Sequence, residues 1–398
     1  MAAAAAAAGS TTPAAALAAA ILKREPMSFP MKTLDPFLFA VYHHDQYPAG
    51  AATHMRASIR GSGSDFELSK SRPWRMYHGG AYAGFPSHPH RGFETVTVTL
   101  SGLVDHADSM GASGRYGEGD AQWMCAGSGV QHQEIFPWVK TRAPNTLKLF
   151  QIWLNLAAKD KMCAPVYKMH WAESVQAEAG EGGARALCYV GSLGGAAGAA
   201  PPPSSWAADP AHAVGVYIIQ LPPGSAYTLP PAAGAPPGAP LNRMAYVTQG
   251  AVEGVEARLS TLTLDPALPL PLRNAGAEAA EVLVLQGVPI GEPVAQHGPF
   301  VVRCLALRAR ARALPRSGSH HHRLPHPTPR RPGRPQMNTR AEIQAAFADY
   351  QRTQFGGWPW AEEEVFPRQQ GRFATHKDAS GKLVRELPPS GERAPEEL

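Results

Sequence analysis

The sequence lacks the features that mark several common protein classes. It has four cysteines in 398 residues, Cys125, Cys163, Cys188 and Cys304, and no two of them form a Cys-x-x-Cys pair. This spacing argues against a disulfide framework and against a zinc-thiolate site, and it favours a reducing compartment. No run of residues is long and apolar enough to span a bilayer, so we expect no membrane partner.

Positive charge is also scarce outside one segment. The net charge is +5, but residues 302–336 hold nine arginines and no acidic residue. Removing those nine charges from +5 leaves −4, so the rest of the chain is mildly acidic. We therefore expect no direct binding of nucleic acid by the folded body.

What the sequence does contain is typical of a β protein rich in loops. Glycine and proline number 39 each, which suits loops better than a helical bundle. Residues 34–165 and 205–301 both hold short β-branched and aromatic runs between turn residues, and 191–204 has the composition of a linker. Within residues 337–398, a capping box and apolar residues at helical spacing predict one short helix. We predict an all-β fold with two β units and a short C-terminal helix.

Residues 1–33 are predicted to be an extension of the fold. The segment is alanine-rich, and Lys23 and Arg24 follow the apolar run, whereas a secretory signal has its positive charge first. Residues 1–26 are either an organellar transit peptide or a mis-annotated start, with Met27 or Met31 as the natural first residue. The expected compartment is cytoplasmic, nuclear or both, or else a plastid or mitochondrion if the transit peptide is genuine.

Two short motifs place metal-binding residue types two positions apart. PSHPHRGFETVTVTLSG (86–102) holds His88 and His90 at the head of a predicted strand, and GSGVQHQEIFPW (127–138) holds His132 and Glu134. Side chains at i and i+2 of a strand point to one face. If the two strands are neighbours, three imidazoles and a carboxylate surround one point, a set suited to Fe(II), Mn(II), Ni(II) or Cu(II). Spacing alone leaves a chance pair of turn histidines as the alternative.

Other polar residues have two interpretations each. Asp105, His106 and Asp108 either line the mouth of such a site or belong to a solvated turn. His43 and His44 are expected to be packing or surface residues.

Several further residues are expected to serve packing alone. Trp123, Trp138 and Trp153 are predicted to be core residues, and Cys125 a small buried hydrophobic residue. The histidine-rich run at 320–326 is not expected to form a specific metal site.

The longest informative segment is FPSHPHRGFETVTVTLSGLVDHADSMGASGRYGEGDAQWMCAGSGVQHQE (85–134), and it resembles the signature of the pirin family nearly end to end. Similar matches occur at LDPFLF (34–39), GEPVAQHGPFV (291–301), MNTRAEIQAAFADYQ (337–351) and FGGWPW (355–360). The stretches VYHHDQYPAG and RYGEGDAQWM resemble the bacterial-type branch of the family most.

The resemblance implies a bicupin, with two cupin jelly-roll-like β-barrels in tandem. The N-terminal barrel would bind one metal ion through His88, His90, His132 and Glu134. Fe(II) is the expected ion, and Mn, Ni and Cu are alternatives. The second barrel would be metal-free, and the sequence agrees, because no histidine lies between His212 and His297.

The resemblance also implies two candidate functions. One is a dioxygenase of the quercetin 2,3-dioxygenase type, which opens the ring of a flavonol-like phenolic substrate with O2. Glu134 would then also be catalytic, as the acceptor of the substrate hydroxyl proton. The other is an iron- or redox-dependent transcriptional co-regulator or stress-response protein that binds a protein partner. The sequence leaves the choice open.

The family pattern is interrupted at Val302–Gln336, where QHGPFV should run directly into MNT. A valine codon begins with GT and glutamine can be encoded by CAG, which are the two ends of a spliceable intron. We hypothesise a retained intron, and the alternative is a disordered basic loop that attracts an acidic partner.

Overall fold

The structure is a computed structural model. It describes the following parts of the 398-residue chain: 12–50, 72–79, 82–255, 259–297, 300–302, 340–362, 365, 371–378 and 380–391.

Strands dominate the described residues. The elements of the first half are α1 Pro13–Ala20, β1 Ile21–Pro26, β2 Phe37–Tyr47, β3 Ala83–His90, β4 Phe93–Ser101, β5 Leu103–Asp108, β6 Ser113–Gly117, β7 Asp120–Cys125, β8 Val130–Phe136, β9 Asn145–Asn155 and β10 Val166–His170. Those of the second half are β11 Gln176–Ala179, β12 Arg185–Val190, β13 Ser192–Leu193, β14 Ala196–Ala197, β15 Gly215–Leu221, β16 Ala226–Leu229, β17 Asn242–Gln249, β18 Ser260–Leu264, β19 Leu270–Arg273, β20 Ala280–Gly287, β21 Ala295–His297, β22 Phe300–Val302, α2 Arg340–Thr353, β23 Phe373–Lys377 and β24 Leu383–Glu386.

These strands build two antiparallel barrels. In the N-terminal barrel, a sheet in the order β10-β7-β4-β9-β2 packs against a sheet in the order β24-β23-β6-β5-β8-β3. In the C-terminal barrel, a sheet in the order β1-β18-β17-β20-β15-β12-β11 packs against a two-stranded sheet of β16 and β19. The predicted all-β fold with two cupin barrels and a short C-terminal helix is confirmed.

Strand alternation explains how the two barrels join. On β4, Val96 and Val98 face a shared apolar layer, and Thr97 between them points into the N-terminal barrel. On β15, Val216 and Ile218 enter the same layer, while Ile219 points into the C-terminal barrel. Because side chains alternate along a strand, each of these strands serves its own barrel on one face and the interface on the other.

Each end of the chain joins the barrel that is farther from it in sequence. Strand β1 pairs with β18 of the C-terminal barrel, with Arg24 opposite Leu262. Strand β23 pairs with β6 of the N-terminal barrel, with Phe373 opposite Arg115. The sequence analysis predicted the helix α2 within 337–398 but not the β23–β24 hairpin that follows it.

Parts of two predicted segments fall outside the described residues. Residues 1–11 and 303–339 are not among them, so the intron hypothesis and the run at 320–326 are not addressed by the structure. The domain boundaries stay predictions. Within the described part of the chain, no helix has both the length and the apolar character needed to cross a membrane.

Candidate metal centre

The two sequence motifs lie on neighbouring strands, as the metal hypothesis requires. Strands β3 and β8 are antiparallel, and His88 lies directly opposite His132. Strand β5 pairs with the other edge of β8, with His106 opposite Glu134 and Asp108 opposite His132. The middle strand β8 therefore brings residues from both neighbours to one place inside the N-terminal barrel.

Three histidines form a compact cluster at this place. Ligand atoms of His88, His90 and His132 all lie within 4.8 Å of one another. Two ligands of one ion, each about 2.1 Å from it, lie at most about 4.2 Å apart. Small side-chain rotations are therefore enough for all three imidazoles to share an ion.

Glu134 lies at the edge of this cluster. Its Oε2 atom is 4.0 Å from Nε2 of His132, and the same oxygen accepts a hydrogen bond of 2.6 Å from Nε2 of Gln151. Burial raises the pKa of the Glu134 carboxyl, and the Gln151 amide opposes that rise. The carboxylate therefore lies next to His132, and its role as a fourth ligand stays a prediction.

A hydrogen-bonded chain orients His132. Asp108 accepts backbone N–H bonds from Met110 and Ala112 at 2.8 and 2.9 Å, and its other oxygen is 3.1 Å from Nε2 of His106. Nδ1 of His106 is 3.5 Å from Nδ1 of His132. Because a carboxylate only accepts, His106 donates from Nε2 and accepts at Nδ1. His132 then carries its proton on Nδ1, and its Nε2 lone pair is left for a ligand.

His88 is oriented by the backbone in the same sense. Its Nδ1 lies 2.8 Å from the carbonyl oxygen of Pro86, which can only accept, so the Nε2 lone pair is free. Burial lowers the pKa of His88 to about 4 and lowers that of His132 well below its usual range. Both imidazoles are therefore neutral at physiological pH, the state that binds metals.

These residues pass a physical test of fit to a metal ion. Nε2 of His132 is buried and has no hydrogen-bond partner within the described part of the chain. An unpaired buried polar atom costs about 1–3 kcal/mol, and a metal ion would satisfy it. Three imidazoles and a carboxylate also match the nitrogen and oxygen donors that divalent transition metals accept.

A large cavity opens onto the cluster. Its volume is about 590 Å³, and His88, His90 and Glu134 form part of its wall. Most of the wall is apolar, and the aromatic part comes from Phe29, Phe39, Phe85 and Trp153. A cavity of this size and character suits a planar aromatic molecule.

His43 reaches the cavity from a second hydrogen-bonded chain. The Tyr77 hydroxyl donates to Oδ2 of Asp45 at 2.6 Å, so its oxygen accepts the proton on Nδ1 of His43 at 2.5 Å. Arg75 donates hydrogen bonds to Asp45 from its Nε and Nη2 atoms at 2.9 and 3.0 Å. Burial, with the nearby Arg75 charge, lowers the pKa of His43 to about 3. His43 therefore presents a neutral Nε2, which is a hydrogen-bond acceptor.

The other candidates from the sequence separate into distinct roles. His106 and Asp108 are fully buried behind His132 and do not line a mouth, and Asp105 faces the opposite way, where it pairs with Arg115. His43 is buried, as the packing hypothesis predicts, but it also lines the cavity. The sequence did contain a signal that His106 and Asp108 belong to the site, since His106-x-Asp108 repeats the i, i+2 spacing of the two ligand motifs.

The packing predictions hold for three residues and are wrong for a fourth. Trp123, Trp138 and Cys125 are fully buried. Trp153 instead lines the cavity and contacts the His90 ring edge to face, with ring centroids 5.4 Å apart.

Known proteins resemble this chain across both barrels. A model of the family described as Pirin matches residues 24–154. A pirin-like protein of Caulobacter vibrioides is 36% identical over 225 residues, which cover 55% of this chain and 74% of the relative. A Pseudomonas aeruginosa protein named as a candidate quercetin 2,3-dioxygenase is 37% identical over 230 residues. The match covers 55% of this chain and 74% of that relative.

A solved structure extends the comparison to the fold. A quercetin 2,3-dioxygenase from Acinetobacter baumannii superposes with a TM-score of 0.58 at 24% sequence identity. The match covers 85% of this chain and 98% of that chain, so it includes both barrels.

Proposed function

The chain belongs to the pirin family, and from this premise we propose that its N-terminal barrel is a metal-dependent dioxygenase of the quercetin 2,3-dioxygenase type. The observation that carries the proposal is the buried Nε2 of His132, which has no hydrogen-bond partner among the described residues and lies beside two other imidazoles at the wall of an apolar cavity. The name of the Pseudomonas aeruginosa relative supports the reaction type.

His88, His90, His132 and Glu134 would hold the ion, with Fe(II) as the expected metal and Mn, Ni and Cu as alternatives. A bound ion of this kind would supply Lewis acidity for the reaction of the substrate with O2. Asp108 and His106 would keep the His132 lone pair directed at the ion.

Glu134 is proposed as the proton acceptor for a substrate hydroxyl. Its carboxyl lies in the cavity wall, and burial raises its pKa, so it takes up a proton more readily than an exposed carboxylate. The Gln151 amide holds Oε2 at 2.6 Å, which fixes the carboxylate for this role.

The walls of the cavity define the proposed substrate class. The aromatic side chains favour a flat ring system, and the few polar groups include acceptors for its hydroxyls. His43 offers the acceptor atom Nε2, because its Nδ1 proton is held by Tyr77. We therefore expect a hydroxylated flavonol-like phenol to bind better than its methyl ether.

The test combines metal analysis with turnover on the full chain. The wild-type protein should bind an equimolar amount of metal and should consume quercetin, seen as loss of its absorbance together with O2 uptake. The double variant His88→Ala/His132→Ala should lose both. A His376→Ala variant is the matched control, because His376 lies on β23 and hydrogen-bonds Glu386.

Each outcome has a defined meaning. Bound metal without turnover of quercetin or related phenols would overturn the dioxygenase proposal and favour the alternative, an iron- or redox-dependent regulator that binds a protein partner. A double variant that keeps its metal would overturn the ligand assignment itself.

A further inference from the structure

Two of the four cysteines meet in the N-terminal barrel, at a place that uses none of the metal-centre residues. Cys125 ends strand β7 and is fully buried, whereas Cys163 lies in the connection between β9 and β10 and is partly exposed. Their Sγ atoms are 3.6 Å apart. The two residues are 38 positions apart in sequence, so the fold alone creates this contact.

The backbone around the pair is tightly fixed. The N–H of Ser128 donates to the carbonyl oxygen of Cys163 at 2.8 Å. Gly127 has a φ of +45°, and a Cβ added there would lie 2.3 Å from that same oxygen. Because only glycine fits this approach, the turn after Cys125 and the segment that carries Cys163 are held against each other.

The two thiols differ in character. The contact between the two sulfur atoms lowers the pKa of Cys163 to about 7. The same interaction, together with burial, raises the pKa of Cys125. A partly exposed thiol that ionises more readily than a free cysteine therefore lies in contact with a buried thiol, and the thiolate is the nucleophilic form.

We propose that Cys163 and Cys125 are a peroxide-reactive pair, in which Cys163 attacks a small hydroperoxide and Cys125 closes an intramolecular disulfide. The Cys163 thiolate attacks one peroxide oxygen and the O–O bond breaks. With hydrogen peroxide, hydroxide leaves and takes up a proton to form water, and Cys163 becomes a sulfenic acid.

The second step completes the balance. The Cys125 sulfur attacks the Cys163 sulfur, the S–O bond breaks, and a second water leaves with the proton of the Cys125 thiol. Two thiols are oxidised by two electrons in total, and one peroxide is reduced to two waters. The sulfurs need to approach from 3.6 Å to about 2.05 Å, a movement of about 1.5 Å.

The test treats the full chain with hydrogen peroxide and maps its thiols by non-reducing digestion and mass spectrometry. We expect a peptide linked through Cys125 and Cys163, and loss of both free thiols at least tenfold faster than loss of the Cys188 thiol. The same treatment of the His88→Ala/His132→Ala variant separates this reaction from oxidation driven by bound iron. The linked peptide should form in both proteins.

Serine variants test the two roles. Cys125→Ser should stop at a sulfenic acid on Cys163, trapped as a dimedone adduct, and Cys163→Ser should leave Cys125 reduced. Cys188→Ser is the matched control and should react like the wild type. Absence of the linked peptide, oxidation of Cys188 at an equal rate, or oxidation of Cys125 in the Cys163→Ser variant would each overturn the proposal.

Discussion

The two barrels share one architecture but differ in the polarity of the residues that face their interiors. On β4 of the N-terminal barrel the inward residues are Thr95, Thr97 and Thr99, all buried. On β15 of the C-terminal barrel they are apolar or aromatic, with Ile219 and Leu221 fully buried. The faces that the barrels turn toward each other are mainly apolar in both, with Glu94 hydrogen-bonded to Ser205 between them at 2.6 Å.

This contrast indicates that stability and chemistry come from different parts of the molecule. The C-terminal interior and the shared layer are mainly apolar and bury surface at about 25 cal/mol per Å², and their polar contacts include the pair of Lys148 with Glu281 at 2.7 Å. The N-terminal interior instead holds histidines, buried ion pairs and hydroxyls, each of which needs a partner. We infer that the C-terminal barrel and the interface stabilise the N-terminal barrel, whose core is occupied by the residues of the candidate metal centre.

The largest expected effect comes from the buried ion pair of the polar barrel. Arg115 and Asp105 are fully buried and joined by two bonds of 2.7 Å. Asp105→Asn leaves the guanidinium charge without its counter-charge, so we expect a loss of about 3–5 kcal/mol in the free energy of unfolding. Chemical denaturation measures this loss, and metal affinity should be nearly unchanged. An unchanged midpoint would show that the polar interior does not depend on this pair.

Substitution of the neighbouring carboxylate Asp108 should affect metal affinity more than stability. Asp108→Asn disturbs the chain through His106 to His132, so we expect metal affinity to fall about 10–100-fold, with a smaller loss of stability. Competition with a chromophoric chelator measures the affinity. Equal effects of the two variants on metal binding would refute the separate roles assigned to the two carboxylates.

Acid should act mainly on the polar barrel, because its interior holds the buried histidines. The folded pKa of His43 is about 3, well below the unfolded value of about 6.5. Between these values the unfolded chain binds a proton that the folded chain does not, so stability falls as pH falls. From pH 7.5 to 4.5, His43 alone should account for about 2–3 kcal/mol of that loss.

The His43→Phe variant isolates the part of the acid-induced loss of stability that comes from His43. Its free energy of unfolding, measured with a chelator present, should decline less steeply with acid than that of the wild type. Tyr77→Phe is the matched control, because it removes the hydrogen-bond partner but keeps the imidazole. An identical slope in His43→Phe and wild type would contradict the assignment.

The smallest expected effects come from exchanging single inward residues. Val282→Thr puts a hydroxyl in the apolar interior of the C-terminal barrel and should cost about 1–3 kcal/mol. Thr99→Val removes a buried hydroxyl that has no hydrogen-bond partner within the described part of the chain, and should add about 1 kcal/mol. Thermal unfolding of both variants checks the two signs, and a loss in Thr99→Val would show that its hydroxyl is needed.

The parts of the site that sequence predicts are those set by local periodicity. The i, i+2 spacing placed His88 with His90 and His132 with Glu134, because a strand repeats every two residues. The support behind them depends on register between strands. Asp108 meets His132 only because β5 and β8 pair at that offset. His43 reaches the cavity only because Tyr77, from another segment, binds its Nδ1.

The fold was predictable to a similar extent. Composition and turn spacing indicated the two β units, since both are properties of short stretches. The β23–β24 hairpin has few β-branched residues, and its stability comes from distant partners. Arg372, just before β23, donates to Asp120 of the N-terminal barrel at 2.6 Å, a contact between residues 252 positions apart.

The exchange of chain ends between barrels has a consequence for synthesis on the ribosome. Strand β1 emerges first but waits for β18, more than two hundred residues later, before it can pair. The sheet that carries the histidines gains its outer strands β23 and β24 only after the last part of the chain has emerged. Translation order and assembly order are therefore inverted, and the barrel that is made first is the last to be completed.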